Sequence, residues 1–422
     1  MNILPSTTKK NSIVLFLLWP FFALVYAVRN YKAGWAKDII WFFVIFHGFT
    51  LTFHNIGEET IDANRYQDKF IAMAASDATW ETITASFYNA EEQSLDVLET
   101  IIIFLLSRLT SNTHILFAVF GLIFGYFYSR NIWYLIDRAG KSINPSNIPV
   151  IVTFAFIVGF WQLSGFRFWT ATHIFFYGTL PFIFEGKKKY LWFSVLAGFM
   201  HFSYFFPLGI VGIYIFLGNR TKIFFFLFIA TFFIKELSID QVSGFLTNNL
   251  PDILQPKVKT YTNVDVLERK AGEALNINWY VKLYIETLKW TVVSFLIVIF
   301  LTGQKFLVKN RNVDNLLSFT FLFYSFANIL SLMPSGNRFI AIANLFAMTL
   351  IFFYVQYAPR GKAVKRVIFL GIPLLAFYSI VAGRVALDTM GFFSVFGNPV
   401  MSVFMDVDIT LIEMVKGLIG VN

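Results

Sequence analysis

Ser164–Ser203 reads SGFRFWTATHIFFYGTLPFIFEGKKKYLWFSVLAGFMHFS, and its pattern decides the class of fold. Two apolar runs flank Lys187-Lys188-Lys189, so a chain that crosses a bilayer turns back at the lysines. Arg167 opens the first run and His201 closes the second, which places both at the end opposite that turn. A charge at a helix centre costs roughly 2.5–3.5 kcal/mol on insertion scales, so such groups are usually kept for chemistry or transport.

The rest of the chain agrees with a membrane setting. Of 422 residues, 57% are hydrophobic, 19% are aromatic with 54 Phe, and 14% are charged; the mean hydropathy is +0.64. At ~20 apolar residues per span, the alternation of apolar runs and charged loops predicts an all-α polytopic protein of about twelve spans in one domain over 1–422. The net charge of +9 is spread over short loops, where it orients helices, so nucleic acid is dropped as a partner. Zero cysteines exclude disulfides, thiolate metal sites and a cysteine nucleophile.

Cytoplasmic loops are enriched in Lys and Arg. Arg29/Lys32/Lys37, Arg130/Arg138/Lys141, Lys187–Lys189, Arg220/Lys222, Lys305/Lys309/Arg311 and Arg360/Lys362/Lys365/Arg366 all fall inside on one scheme. Its spans lie near 11–28, 38–57, 113–130, 147–165, 167–184, 189–203, 204–219, 221–237, 279–303, 313–333, 337–357 and 366–382. Two long polar segments, 58–112 and 238–278, then lie outside. The run Leu95–Leu109 must not cross; at ~15 residues with charged ends it reads as re-entrant or interfacial. The first run, although Lys9-Lys10 precede it, reads as a span and not a cleaved signal peptide. The region 383–422, with Gly383-Arg384, Gly391 and Gly397-Asn398-Pro399, reads as broken backbone near the outer face. Such backbone is tolerated where protein buries it or a watery cavity accepts it.

This scheme gathers Asp62, Arg65, Arg167, His201, Arg338 and Arg384 at the outer face. Each also has a plain structural reading. Arg167 snorkels to the interface or, beside Ser164 and Gly165, grips an anion. Arg338, after Pro334-Ser335-Gly336, anchors a helix at the interface or joins its N-terminal N–H groups in an anion site. His201 packs or handles a proton, and Arg65 and Arg384 are loop charges or further phosphate contacts. Asp406-Val407-Asp408 has a spacing that holds a divalent metal, but it also suits the N-terminus of a short helix, and no metal site is assigned. His47 and His54 on one span, and His114 and His173 alone, make no ligand set, and no Gly-rich phosphate loop or serine elbow occurs. No cofactor is expected.

Ser164-Gly165-Phe166-Arg167, a span, the lysine turn, and Ala197-Gly198-Phe199-Met200-His201-Phe202-Ser203 together resemble the EpsG-like branch of the bacterial Wzy polysaccharide polymerases, whose pattern is Gly-X-Arg followed by a small residue and His-X-Ser. Asp62-Ala63-Asn64-Arg65-Tyr66 resembles that family's early Asp and Tyr motif, Asn337-Arg338-Phe339 its late arginine, and Gly397-Asn398-Pro399 its Asn-Pro. The family's arginine at the outer end of the second span is missing from Thr50-Leu51-Thr52-Phe53-His54-Asn55, so one phosphate contact is either absent or supplied by Arg65 or His54.

The resemblance implies a GT-C-like, inverting, metal-independent glycosyltransferase of the bacterial inner membrane. Its substrate would be an undecaprenyl-diphosphate-linked oligosaccharide, and membrane lipid and a chain-length regulator would be its partners. Arg167 and Arg338, with Arg65 and Arg384, are assigned to the diphosphate. His201 takes the base or acceptor-orienting role, and Asp62 binds the acceptor sugar or serves as the rival base. The alternatives are a lipid-linked glycan flippase or other transporter, which should carry polar groups through the membrane and an internal repeat, and an O-antigen ligase or polytopic acyltransferase.

Overall fold

The computed structural model describes residues 7–52, 62–87, 95–234, 239–249, 255, 258, 278–359, 361–405 and 407–420. Among these the chain is helical, with no strand and one isolated antiparallel bridge between Gly391 and Thr410. Six described stretches are long and apolar enough to cross a membrane: Thr113–Asp137, Pro145–Glu185, Trp279–Thr302, Arg311–Leu330, Asn337–Tyr357 and Lys362–Ala386. Pro20–Arg29, Val97–Ser107, Phe202–Leu217 and Thr221–Thr231 are apolar but shorter. The architecture is that of an all-α membrane-embedded protein, in which helix length alone supports six of the expected crossings.

The centre is the Asn337–Tyr357 helix, buried almost continuously from Ile342 to Val355. Phe346 packs there against Phe175, Phe176, Phe319 and Phe323 from two neighbouring helices. A second tight contact joins Ala36–Phe49 to Thr113–Asp137. A Cβ on Gly48 would lie 2.2 Å from the Phe117 carbonyl oxygen, and one on Gly121 2.5 Å from that of Val44. Small residues are what let two backbones approach this closely inside a membrane.

The span expected over 147–165 is broken. Ile148–Ile157 ends at Val158, and Phe160–Gly165 forms a 3-10 turn before Phe166–Glu185 begins. His173, isolated in the sequence, holds this joint: its Nε2 donates to the Val158 carbonyl at 3.1 Å, while the Asn131 amide donates to its Nδ1 at 3.3 Å and to its carbonyl at 2.9 Å. A carbonyl freed by the break thus keeps a partner where water is excluded.

Two of the basic clusters, Arg130/Arg138 and the lysine turn, meet at one end. Glu185 accepts from Arg138 at 2.6 Å and pairs with Lys187 at 2.7 Å. Arg130 pairs with Asp38 at 2.6 Å between the Trp41 and Tyr126 rings, and Tyr357 donates to the Arg138 carbonyl. Gly186 adopts φ 69°, the left-handed conformation that caps Phe166–Glu185 and turns the chain at the lysines.

Segment 58–112 is more than a loop, because Asp62–Ala75, Trp80–Ser86 and Val97–Ser107 are helices within it. The first was hidden because only Ala63, Tyr66 and Phe70 bury a narrow stripe among polar residues. Val97–Ser107 has 11 residues, about 16 Å at 1.5 Å each, well short of a ~30 Å hydrocarbon core. Of 238–278, Ile239–Asn249 is helical and most of the remainder lies outside the described residues. The region after 383 is broken as expected, into Phe392–Phe396, Pro399–Phe404 and Leu411–Leu418 behind a longer Lys362–Ala386 helix.

Candidate functional site

Phe166–Glu185 and Leu191–Met200 run antiparallel from the lysine turn, and Phe168 joins what stands at their far ends. The His201 ring meets the Phe168 ring edge-on at 5.3 Å and 84°, and the Arg338 guanidinium lies 5.3 Å from the centre of the same ring. Arg167, the neighbour of Phe168, faces a third element. Its Nε donates to the Tyr66 hydroxyl at 3.1 Å, its Nη1 to Asp96 Oδ2 at 3.1 Å, and its Nη2 lies 3.8 Å from Asp62 Oδ1. Asp62 also takes Arg65 at 2.8 Å, one turn along its helix. Five of the six residues singled out in the sequence therefore form one cluster drawn from separate parts of the chain.

Arg384 does not join it. Its guanidinium pairs with Asp388 at 2.7 Å, and no described hydrogen bond or ion pair links it to the cluster. His54, the substitute for the missing family arginine, and Asp406 of the Asp-X-Asp motif lie outside the described residues. Among the described residues no group of three His, Cys, Asp or Glu stands where it would hold a metal ion. Asn398 accepts from the Val400 and Met401 N–H groups at 3.0 and 2.9 Å, so the Asn-Pro pair starts a short helix.

Sequence reasoning missed Asp96. It occupies the N-cap position of Val97–Ser107 without bonding that helix's N–H groups. Instead Oδ2 takes Arg167 and Oδ1 accepts the Phe202 N–H at 2.8 Å, tying the turn that carries His201 to the arginine. An acid just ahead of an apolar run is the available signal, and in the sequence it reads only as one of the charged ends of Leu95–Leu109. Behind it Glu99, 2% exposed, pairs with Lys69 at 2.9 Å. Burial pushes the Tyr66 phenol well above its ordinary value, so it meets Arg167 as a neutral hydroxyl.

His201 is oriented by its own turn. The Ser203 N–H points at Nδ1 at 3.3 Å and the Ser203 hydroxyl at 2.8 Å. A backbone N–H can only donate, so Nδ1 accepts and the neutral ring carries its proton on Nε2. Arg338 is exposed, follows the Gly336 N-cap of Asn337–Tyr357, and has no carboxylate partner among the described residues. Ser335 before it holds φ 61°, a left-handed conformation that a non-glycine residue adopts at a cost of order 1–3 kcal/mol. A Cβ on Gly336 would meet the Leu330 carbonyl oxygen at 1.7 Å, so this turn has one shape. The two arginines thus differ: Arg167 is clamped by two acids and a phenol, whereas Arg338 is charged, exposed and backed by a helix N-terminus. No family model, no curated protein and no solved structure matches the chain, so these side chains themselves carry the functional reading.

Proposed function

We propose that this protein is a glycosyltransferase of the polysaccharide-polymerase type that crosses the bacterial inner membrane about twelve times with a GT-C-like arrangement. It joins undecaprenyl-diphosphate-linked oligosaccharides at its outer face. In this reading the short helices cross as paired elements and Val97–Ser107 stays at the outer boundary. The acceptor hydroxyl oxygen attacks the anomeric carbon of the donor glycan, and the bond from that carbon to the diphosphate oxygen breaks. The electron pair leaves on the lipid diphosphate, and the hydroxyl proton passes to a carboxylate.

The carrying observation is the convergence of Arg167, Arg338, His201 and Asp62 around Phe168 and Tyr66. Arg338 is the principal diphosphate ligand, because no carboxylate among the described residues pairs with it and helix N–H groups stand beside it. Arg167 enters already neutralised and holds Asp62 and Asp96 in place while presenting its remaining edge. With its proton on Nε2, His201 donates to substrate and orients it, and Asp62 takes the base role. A polymer ladder from the purified protein and a purified lipid-linked repeat unit is the test. No ladder, or product only when lipid A core is supplied, overturns the polymerase reading.

A further inference from the structure

On another side of Asp62–Ala75, next to Tyr66, Gln67 borders a cavity of about 260 Å³. That is room enough for a single pyranose ring. Its walls are Phe49–Thr52 at the end of Ala36–Phe49, Thr113, His114 and Phe117 at the start of Thr113–Asp137, and the broken C-terminal segment. The three are locked together. Gly391 sits so close to Thr52 that a Cβ would lie 2.4 Å from its hydroxyl, and the Ser394 hydroxyl bonds Thr50 at 2.8 Å and His47 at 3.2 Å.

The lining chemistry is specific. Thr52, Gln67, Thr113, His114, Ser402 and Asp408 bring hydroxyls, an amide, an imidazole and a carboxylate, and Phe49, Phe117 and Phe393 bring flat apolar faces. Among the described residues that line it there is no Lys or Arg to meet a phosphate. His114 Nδ1 lies 2.9 Å from the Phe49 carbonyl, an acceptor only, so Nδ1 donates. Mixed donors and acceptors beside aromatic faces suit a ring whose hydroxyls both give and take hydrogen bonds and whose C–H face is apolar.

We propose that this cavity binds one neutral sugar residue of the glycan substrate, one helix away from the arginine cluster. Naming a sugar as the ligand rests on the glycosyltransferase reading, and binding of free glycosides separates the two. The experiment is saturation-transfer NMR on the full-length protein in detergent, with the methyl glycosides of glucose, galactose, mannose and N-acetylglucosamine as probes and glycerol 3-phosphate as the anionic control. At least one glycoside is expected to bind, glycerol 3-phosphate is not, and Gln67→Leu and Ser402→Phe each weaken binding roughly tenfold, as expected when one or two hydrogen bonds go. Ser402→Phe fills the space, and Gln67→Leu, on a helix outside the expected spans, carries the test if the larger side chain lowers the melting temperature. Absence of glycoside binding, binding unchanged in Gln67→Leu, or binding of the phosphate alone overturns the assignment. A glycoside-binding protein that makes no polymer ladder instead overturns the polymerase reading and leaves the cavity assignment standing.

Discussion

Arg167 and Asp96, 71 positions apart in the chain, face each other at 3.1 Å, and the second carboxylate oxygen of Asp96 holds the Phe202 N–H beside His201. One buried acid therefore fixes both an arginine on one helix and a histidine turn on the next. Asp96→Asn keeps an acceptor for Phe202 and loses the charge, whereas Asp96→Ala loses both. Melting in one detergent should show Asp96→Ala less stable than the parent by about 2–4 kcal/mol and Asp96→Asn by about half of that. Equal melting of Asp96→Ala and the parent would show that Asp96 ties nothing together.

Arg167 serves three acceptors in different directions with one planar fork. Lysine keeps the charge and cannot span them, so Arg167→Lys should be nearly as damaging to polymer formation as Arg167→Ala. An arginine that only reached the interface would accept lysine well. Polymerisation by Arg167→Lys at the parent rate contradicts the clamp.

His201→Ala and Asp62→Asn distinguish an orienting donor from a base. With Nδ1 occupied by the Ser203 N–H, removal of the imidazole should slow turnover by roughly 10-fold to 10²-fold, as for one lost hydrogen bond to a reacting group. Removal of a general base slows turnover by roughly 10²–10⁴, and Asp62→Asn should fall in that range. Single-turnover rates with preformed lipid-linked complex read both, and the reverse order returns the base role to His201.

Arg338→Ala should abolish most activity, whereas Arg384→Ala, which breaks only a half-exposed pair with Asp388, should change it by less than about threefold. An inactive Arg384→Ala of normal stability would bring Arg384 back to the diphosphate.

Cysteine labelling tests orientation in a chain that has no cysteine of its own. Ser86→Cys and Asn249→Cys should react with an impermeant thiol reagent in intact cells, and Lys362→Cys only after lysis. Labelling of Lys362→Cys from outside inverts the scheme.

What the sequence disclosed about this molecule is mostly its long-range bookkeeping of charge and apolar length. The lysine turn, the shared end of Arg167 and His201, and the convergence of Asp62 and Arg338 with them follow from counting spans. What stayed hidden depends on geometry at the scale of one bond. Asp96 and an ordinary helix cap have the same sequence signature, and only the direction of the carboxylate separates them. His173 looks as isolated as His114 in the sequence, yet it closes a break in the neighbouring helix. Arg384 falls in the same outer group by hydropathy, and its local pair with Asp388 is a contact that a hydropathy pattern does not show.

The glycine seam between Ala36–Phe49 and Thr113–Asp137 bears on how the chain enters its membrane. Ala36–Phe49 has 14 residues and carries buried His47, too short and too polar to rest alone in lipid. Its partner is synthesised only after the 58–112 segment has emerged. Pairing with the later helix is then expected to be a step in insertion of the early one. Gly121→Ala should then lower the yield of inserted protein in cells more than it lowers the thermal stability of the molecules that do mature.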